Sequence, residues 1–436
     1  MREKADSPLR IVVLIAGLAG LTTILFARAL RLPLLADDYT FISHGQVPGW
    51  WHSRTTWNLG GNIFRPVPLI WIGAFNHTFG LHPLPYHLAS EALLIGAGVV
   101  VAMIARRLGL GLGAYAAAAV FCLHASMATP VGWAAAVNSP LGTLLSLSAV
   151  YILLRHRVRT SGVVVACVLF TIALMTREVV AVTPAILFMT RYLVETDDSR
   201  QARIRRSAVV TSPLLVVLVV YAVIRRIAGF SPRTGAYAQR LSFHGLTNLR
   251  RLMEFATNVD RFGAPHDYAI FVAAFWLTLI VLCVLAACRG RRPQGLVGLL
   301  WALVGVLPVI FLAVHPMEFY YVDFALPGLA IAVGTLFDWA VDSLPDRAAI
   351  PFAALCLALF FALSAGTARK EMNAQLEAEV RQSEKIIAQV KRDYPNPPKG
   401  STIVVRDSPG HYLTQGGTTF RVLYHDPTLK VQFVPG

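Results

Sequence analysis

Apolar runs long enough to cross a bilayer recur along this chain, and that repetition leaves few folds open. Eleven stretches read as spans, at 11–28, 84–105, 112–128, 138–154, 161–175, 179–193, 208–226, 268–288, 295–314, 320–339 and 349–367. Within hydrocarbon every backbone N–H and C=O has to be satisfied inside the protein, so repeated runs of this length mean a helical bundle. Only 14% of the 436 residues are charged and 56% are hydrophobic, far from the balance of a soluble protein. The expected fold class is an all-α polytopic membrane protein with about eleven transmembrane helices. The pair 161–175 and 179–193 also reads as a re-entrant hairpin, which leaves the sidedness of later loops unchanged. Pro66–Gly80 is apolar but short and rich in Pro, Gly and aromatics, and is expected to lie on the membrane surface.

A formal charge of +15 would suggest nucleic acid in a soluble chain. Here the arginines lie mostly in short connectors, where they set topology and touch anionic lipid headgroups, and no nucleic-acid partner is expected. With the N-terminus in the cytoplasm, Arg106, Arg107, Arg155, Arg191, Arg203, Arg289 and Arg292 fall inside, as the positive-inside rule asks. The basic outer loop 227–267 resists that rule, carrying Arg233, Arg250 and Arg251 after Arg225 and Arg226. The first run has no A-x-A cleavage pattern and reads as an uncleaved anchor. Together with a heavy excess of arginine over lysine, this suits a multi-pass protein of a bacterial inner membrane. The five cysteines all fall in apolar runs without metal spacing and read as buried packing residues. No GxGxxG or GxxxxGK[ST] follows a strand, so nucleotide-driven chemistry is not expected.

Two domains follow: a transmembrane domain over 1–367, with a first outer loop at 29–83, and a small α+β extracytoplasmic tail over 368–436. In the tail, Lys370–Lys391 has the spacing of an amphipathic helix, and Ser401–Arg406, Thr418–Tyr424 and Val431–Val434 read as short strands.

Polar residues collect at the outer ends of the spans. Asp37 and Asp38 come directly after the first span, where two carboxylates repel each other and lose hydration. The ordinary alternative is a solvated turn or helix N-cap formed by Asp-Asp-Tyr-Thr. Arg65 follows in the first loop, then His87 and Glu91 at the start of the second span, and Arg177-Glu178 between the fifth and sixth. His315, Glu318, Tyr320 and Tyr321 join the ninth to the tenth. Each has a bland reading: Arg177-Glu178 as a local ion pair, the histidines as satisfied structural groups. Together they describe a polar cavity at the outer membrane face.

The order of these motifs resembles the GT-C glycosyltransferases, particularly the protein O-mannosyltransferase-like branch and its bacterial relatives. The resemblance rests on the Asp pair after span one, Arg65-Pro66, Tyr86-His87, Arg177-Glu178 and Glu318-Phe-Tyr-Tyr-Val-Asp-Phe-Ala-Leu-Pro327, over residues 10 to 340. It implies a hexosyl- or mannosyltransferase-like enzyme with a polyprenyl-phosphate-linked sugar donor and a protein or glycan acceptor. It also implies an acidic base in the first loop, here Asp37 or Asp38. Arg65, His87, Arg177, Glu178, His315, Glu318, Tyr320 and Tyr321 would bind substrate. Phe319 stands where that branch has a basic residue.

Glycosyl transfer from a lipid phosphate needs a carboxylate to take the acceptor proton and positive charge for the leaving phosphate. Arginine clusters bind phosphate bidentately, which gives Arg225, Arg226, Arg233, Arg250 and Arg251 an expected role on the donor or on nearby headgroups. A divalent metal is possible only at Asp37 and Asp38, and two carboxylates do not by themselves make a metal site. Two other functions compete: a lipid-linked-glycan flippase or transporter, and a non-catalytic scaffold of envelope assembly. A transporter would spread its polar residues through the bilayer midplane and often show an internal repeat, and neither is seen.

Overall fold

The computed structural model describes residues 8–46, 64–155, 158–195, 199–230, 238–240, 242–259, 268–290, 292–313, 317–374, 376–406 and 413–434. All eleven predicted runs fall on helices. In chain order these are α1 (Pro8–Leu25), α4 (Pro83–Arg107), the bent pair α5 (Gly113–Cys122) and α6 (Ala128–Gly132), α7 (Asn138–Leu153), α8 (Thr160–Thr176) and α9 (Thr183–Val194). Then come α10 (Arg200–Ile227), α12 (Tyr268–Arg289), α13 (Gln294–Ile310), α14 (Leu326–Asp342) and α15 (Asp346–Ala374). Between them lie α2 (Asp37–Gln46), α3 (Pro66–Phe79) and α11 (His244–Ala256). Proline sits in the first turn of α3, α4, α9 and α14, where its missing N–H leaves no intrahelical bond unmade.

The expectation of about eleven full spans needs refinement. Among the described residues six helices are long and apolar enough to cross a membrane, or seven if the pair bent by 47° between α5 and α6 is one span. At 1.5 Å per residue α8 reaches about 25 Å and α9 about 18 Å, short of a hydrocarbon core of roughly 30 Å. A run of sequence that reads as one span is thus divided in the fold between a helix and the turns next to it.

The bundle closes through small residues. A Cβ on Gly298 of α13 would lie 2.5 Å from the Gly328 carbonyl oxygen of α14, so only glycine lets these two helices approach as they do. Inside the bundle Glu91 accepts hydrogen bonds from Thr22 (2.7 Å) and Thr23 (2.8 Å) and so ties α4 to α1. One end of the bundle gathers arginines: Arg106 donates to the Leu110 carbonyl, Arg191 to that of Leu153, and Arg292 pairs with Asp342. Of the cysteines, Cys122 and Cys283 are buried, Cys167 and Cys356 half-buried, and Cys288 exposed, which corrects the expectation for the last.

In the tail, α16 (Leu376–Asp393) is followed by strands β1 (Thr402–Arg406) and β2 (Lys430–Val434), which pair in parallel. Parallel strands need a crossover connection, and part of it is a helix, α17 (Thr418–Leu423), where a strand was expected. Gly417 precedes α17 at φ 86°, and a Cβ there would strike Val431 at 2.5 Å.

Candidate active site

The chain leaves α1, runs through Leu32-Pro33-Leu34-Leu35 and turns at Ala36 (φ 26°) into α2. His87 Nε2, on α4, lies 2.9 Å from the Leu32 carbonyl oxygen and pins the start of this turn. Asp38 pins its end. Its Oδ2 accepts the Leu35 N–H at 2.8 Å and its Oδ1 accepts the Ala135 N–H at 2.6 Å. The side chain is 0% exposed. Burial pushes its carboxyl up to about 7, against the two backbone donors and with the Asp37 charge adding to the rise. Asp37 is different. It is half-buried as the first residue of α2, where the helix dipole favours a carboxylate. Its charge reaches Glu379 of α16, together with that of Glu318. Burial first, then those two acids, raises the Glu379 carboxyl above its ordinary value.

Arg177 and Glu178 do not pair with each other. Arg177 turns inward to a buried ion pair with Asp323, which also accepts from Ser139 Oγ and, at 2.7 Å, from the Phe324 N–H. Its guanidinium carbon lies 5.5 Å from the centre of the Tyr320 ring and 5.8 Å from that of Tyr321. Glu178 turns toward the mouth. Arg65 reaches its Oε2 through Nε and Nη2, each at 3.0 Å, and Arg225 approaches Oε1 at 4.0 Å. Burial pushes the Glu178 carboxyl up, but Arg65 and Arg225 outweigh it and hold it below the usual carboxylate range. Three elements far apart in sequence thus meet in a cluster with one negative and two positive charges. Phe64 supports it, 5.0 Å from the ring of Phe230 and 6.3 Å from that of Tyr221.

This architecture is found in a solved structure. ArnT from Cupriavidus metallidurans bound to undecaprenyl phosphate superposes over 98% of this chain and 86% of its own, with a TM-score of 0.52 at 16% identity. The chain shares the fold of ArnT. Apo ArnT covers 96% of this chain and 85% of its own at 15% identity, with a TM-score of 0.49. No protein-family model matches the sequence, and no curated protein does. At this identity the likeness concerns the fold.

Within this fold the predicted residues separate into two layers. Asp37, Arg65, Glu178, Arg225 and Glu318 are partly accessible. Asp38, His87, Arg177, Tyr320 and Tyr321 are buried behind it and hold the loops together. Other expected donor residues make no ion pair with Glu178 among the described residues. Arg226 is exposed, Arg250 is 72% exposed and paired with Glu254 of its own helix at 2.9 Å, and Arg251 is exposed. Arg233 and His315 lie outside the described residues. Three structural participants escaped the sequence reading. Asp323 lies within the Glu318–Pro327 stretch and Glu379 is one charge on an amphipathic helix, and residue type and spacing single out neither. Asn258 (φ 59°) accepts from the Ala125 N–H and donates to Ser364, joining α15 to the turn before α6. Among the described residues no three His, Cys, Asp or Glu side chains converge to hold a metal. Both Asp38 oxygens already accept backbone donors.

Proposed function

We propose that this protein moves a sugar from a polyprenyl-phosphate donor to an acceptor hydroxyl on the extracytoplasmic side of a bacterial inner membrane. The arrangement that carries the reading is a division of labour: Asp37, half-buried at the start of α2 beside the fully buried Asp38, and the Arg65–Glu178–Arg225 cluster with its excess positive charge. In the step itself Asp37 takes the acceptor proton as the acceptor oxygen bonds to the anomeric carbon. The glycosidic bond to phosphate breaks, and the phosphate leaves with the bonding pair. A phosphate is a weak base and needs no general acid; Arg65 and Arg225 answer its charge. One displacement inverts the anomeric configuration. Asp38, tied to two backbone N–H groups, anchors the loop that presents Asp37.

A lipid-linked donor also needs somewhere to lay its chain. A wholly apolar cavity of about 440 Å³ lies between α11, α12, α13 and α14, lined by Leu252, Met253, Trp276, Leu299, Val322 and Ala325 among others. Val322 and Ala325 flank Asp323 and continue the turn that bears Tyr320 and Tyr321. ArnT was crystallised with undecaprenyl phosphate, and a lipid of that class suits a cavity of this character. The acceptor is a protein or glycan hydroxyl, and hexosyl donors, mannosyl included, are the first to try. No step is routed through a metal.

Purified protein, offered a panel of polyprenyl-phosphate sugars, is expected to transfer one of them, and Asp37→Asn to lose that transfer. Equal modification of acceptor by wild type and Asp37→Asn would sink the proposal. Labelling of Asp37→Cys from the cytoplasmic side alone would overturn the orientation.

A further inference from the structure

The tail does more than follow the last helix; it packs into the ground beneath the Asp pair. Helix α17 has two buried faces. Phe420, 0% exposed, belongs to the tail's own core with Ile386, Ile403 and Leu429. Val422, 1% exposed, lies two residues on, about 200° around the helix, and enters a different cluster. That second cluster contains Leu34, Tyr39 and Ile42 from the loop and helix of the Asp pair, with Ala135 from the turn whose N–H binds Asp38. Along the other edge α16 and the end of α15 meet the base of the loop: Arg28 pairs with Glu377 at 3.5 Å and donates to Asn373 at 3.1 Å. The tail therefore touches α2 from below through Val422 and reaches its N-terminal end through Glu379.

We infer that α17 is a wedge between the tail and α2, and that Val422 is a positioning residue that sets where Asp37 stands at the mouth. This inference rests on the functional reading above. The physical argument is the short lever. Asp37 and Ile42 share one helix of ten residues, and Ile42 packs in the cluster that Val422 completes. A small tilt of so short a helix moves its first residue by a fraction of an ångström or more. Displacements of about 1 Å at reacting groups can cost on the order of a hundredfold in rate. The glycine that starts α17 fits the same role. At Gly417 the backbone has a left-handed φ and lies against Val431, which fixes α17 on the sheet while its far face meets α2.

The test uses the full-length protein and three variants: Val422→Ala, Val422→Ile and Ile403→Val. Ile403 belongs to the tail's own core, away from α2. Hydrogen–deuterium exchange over residues 37–46 is the activity-independent readout. Val422→Ala is expected to speed exchange there and to lower kcat roughly ten- to a hundredfold with donor KM unchanged. Val422→Ile is expected to restore kcat to within about threefold of wild type, and Ile403→Val to leave α2 exchange unaltered. Unchanged exchange over 37–46 in Val422→Ala overturns the wedge, and so does an equal loss of kcat in Ile403→Val. If wild type transfers no sugar from any donor, the functional reading fails, and the exchange measurement still decides whether Val422 seats α2.

Discussion

An accessible and a buried set of charges are fed by the same short stretches of sequence. Asp37 faces the mouth while Asp38 is buried; Glu178 faces the mouth while Arg177 is buried. The difference is in burial. Each buried member has partners locked in place by the fold: two backbone N–H groups for Asp38, and Asp323 under two tyrosine rings for Arg177. A charge can be held in a low-dielectric place only when it is met in this way. The buried layer thus makes the loops rigid, and the accessible layer keeps oxygens and guanidinium groups that a substrate can reach.

Substitution should separate the layers. Asp37→Asn is expected to cut transfer by about 10²–10⁴-fold while shifting the thermal midpoint of the purified protein less than a change in the buried layer does, because it removes the proposed proton acceptor at a half-buried position. Arg177→Met should do the reverse. It strands Asp323 without its cation, at a cost of about 3–5 kcal/mol, which an unfolding titration would read directly. Should Asp37→Asn unfold the protein and Arg177→Met leave stability intact, the assignment of layers is inverted.

Asp38 sharpens the contrast through pH. Its carboxyl is raised from 3.8 to about 7 by burial, so between those values the unfolded chain has lost a proton that the folded protein keeps. The stability this supplies is full below about pH 4 and is lost as pH rises toward 7, up to about 4 kcal/mol in all. Asp38→Asn should flatten that slope. It should also lower stability at acid pH by about 1–3 kcal/mol, because a protonated carboxyl keeps a lone pair on each oxygen and an amide nitrogen does not. A mutant with the wild-type slope would mean that another group titrates over this range.

The mouth itself is expected to respond in binding. Arg65→Gln removes a guanidinium that contacts Glu178 twice, and with it half of the positive charge offered to a phosphate. Donor KM should rise about tenfold or more, the scale of a charged hydrogen bond, with kcat affected less. A change confined to kcat would place Arg65 with the buried layer instead.

How much of this the sequence shows depends on the kind of interaction. Apolar runs mark helices because hydrocarbon imposes backbone pairing locally, and all eleven runs are helical. The segment 418–424 misleads for a definable reason. Its β-branched and aromatic residues suggest a strand, which would put Phe420 and Val422 on one face, whereas the fold needs them in two cores and only a helix separates them so. The site was legible as residue types at the outer ends of spans. Which member of each adjacent pair is buried was not, because that is decided by partners far away in sequence: Ala135 for Asp38, Asp323 for Arg177, Arg65 and Arg225 for Glu178.

The smallest effect is expected where charge is plentiful but stands apart from the cluster at Glu178. Arg226, Arg250 and Arg251 are exposed, and Arg250 is already engaged by Glu254 one turn along α11. Neutralising all three to Gln should change donor KM by less than about twofold at physiological ionic strength, where exposed charges beyond about 8 Å are screened. Arg225→Gln, one residue from Arg226 but within 4.0 Å of Glu178, should exceed all three combined. Equal effects from Arg225 and Arg226 would mean that proximity to Glu178 is irrelevant, and that the donor phosphate is met by diffuse surface charge instead of by a built cluster.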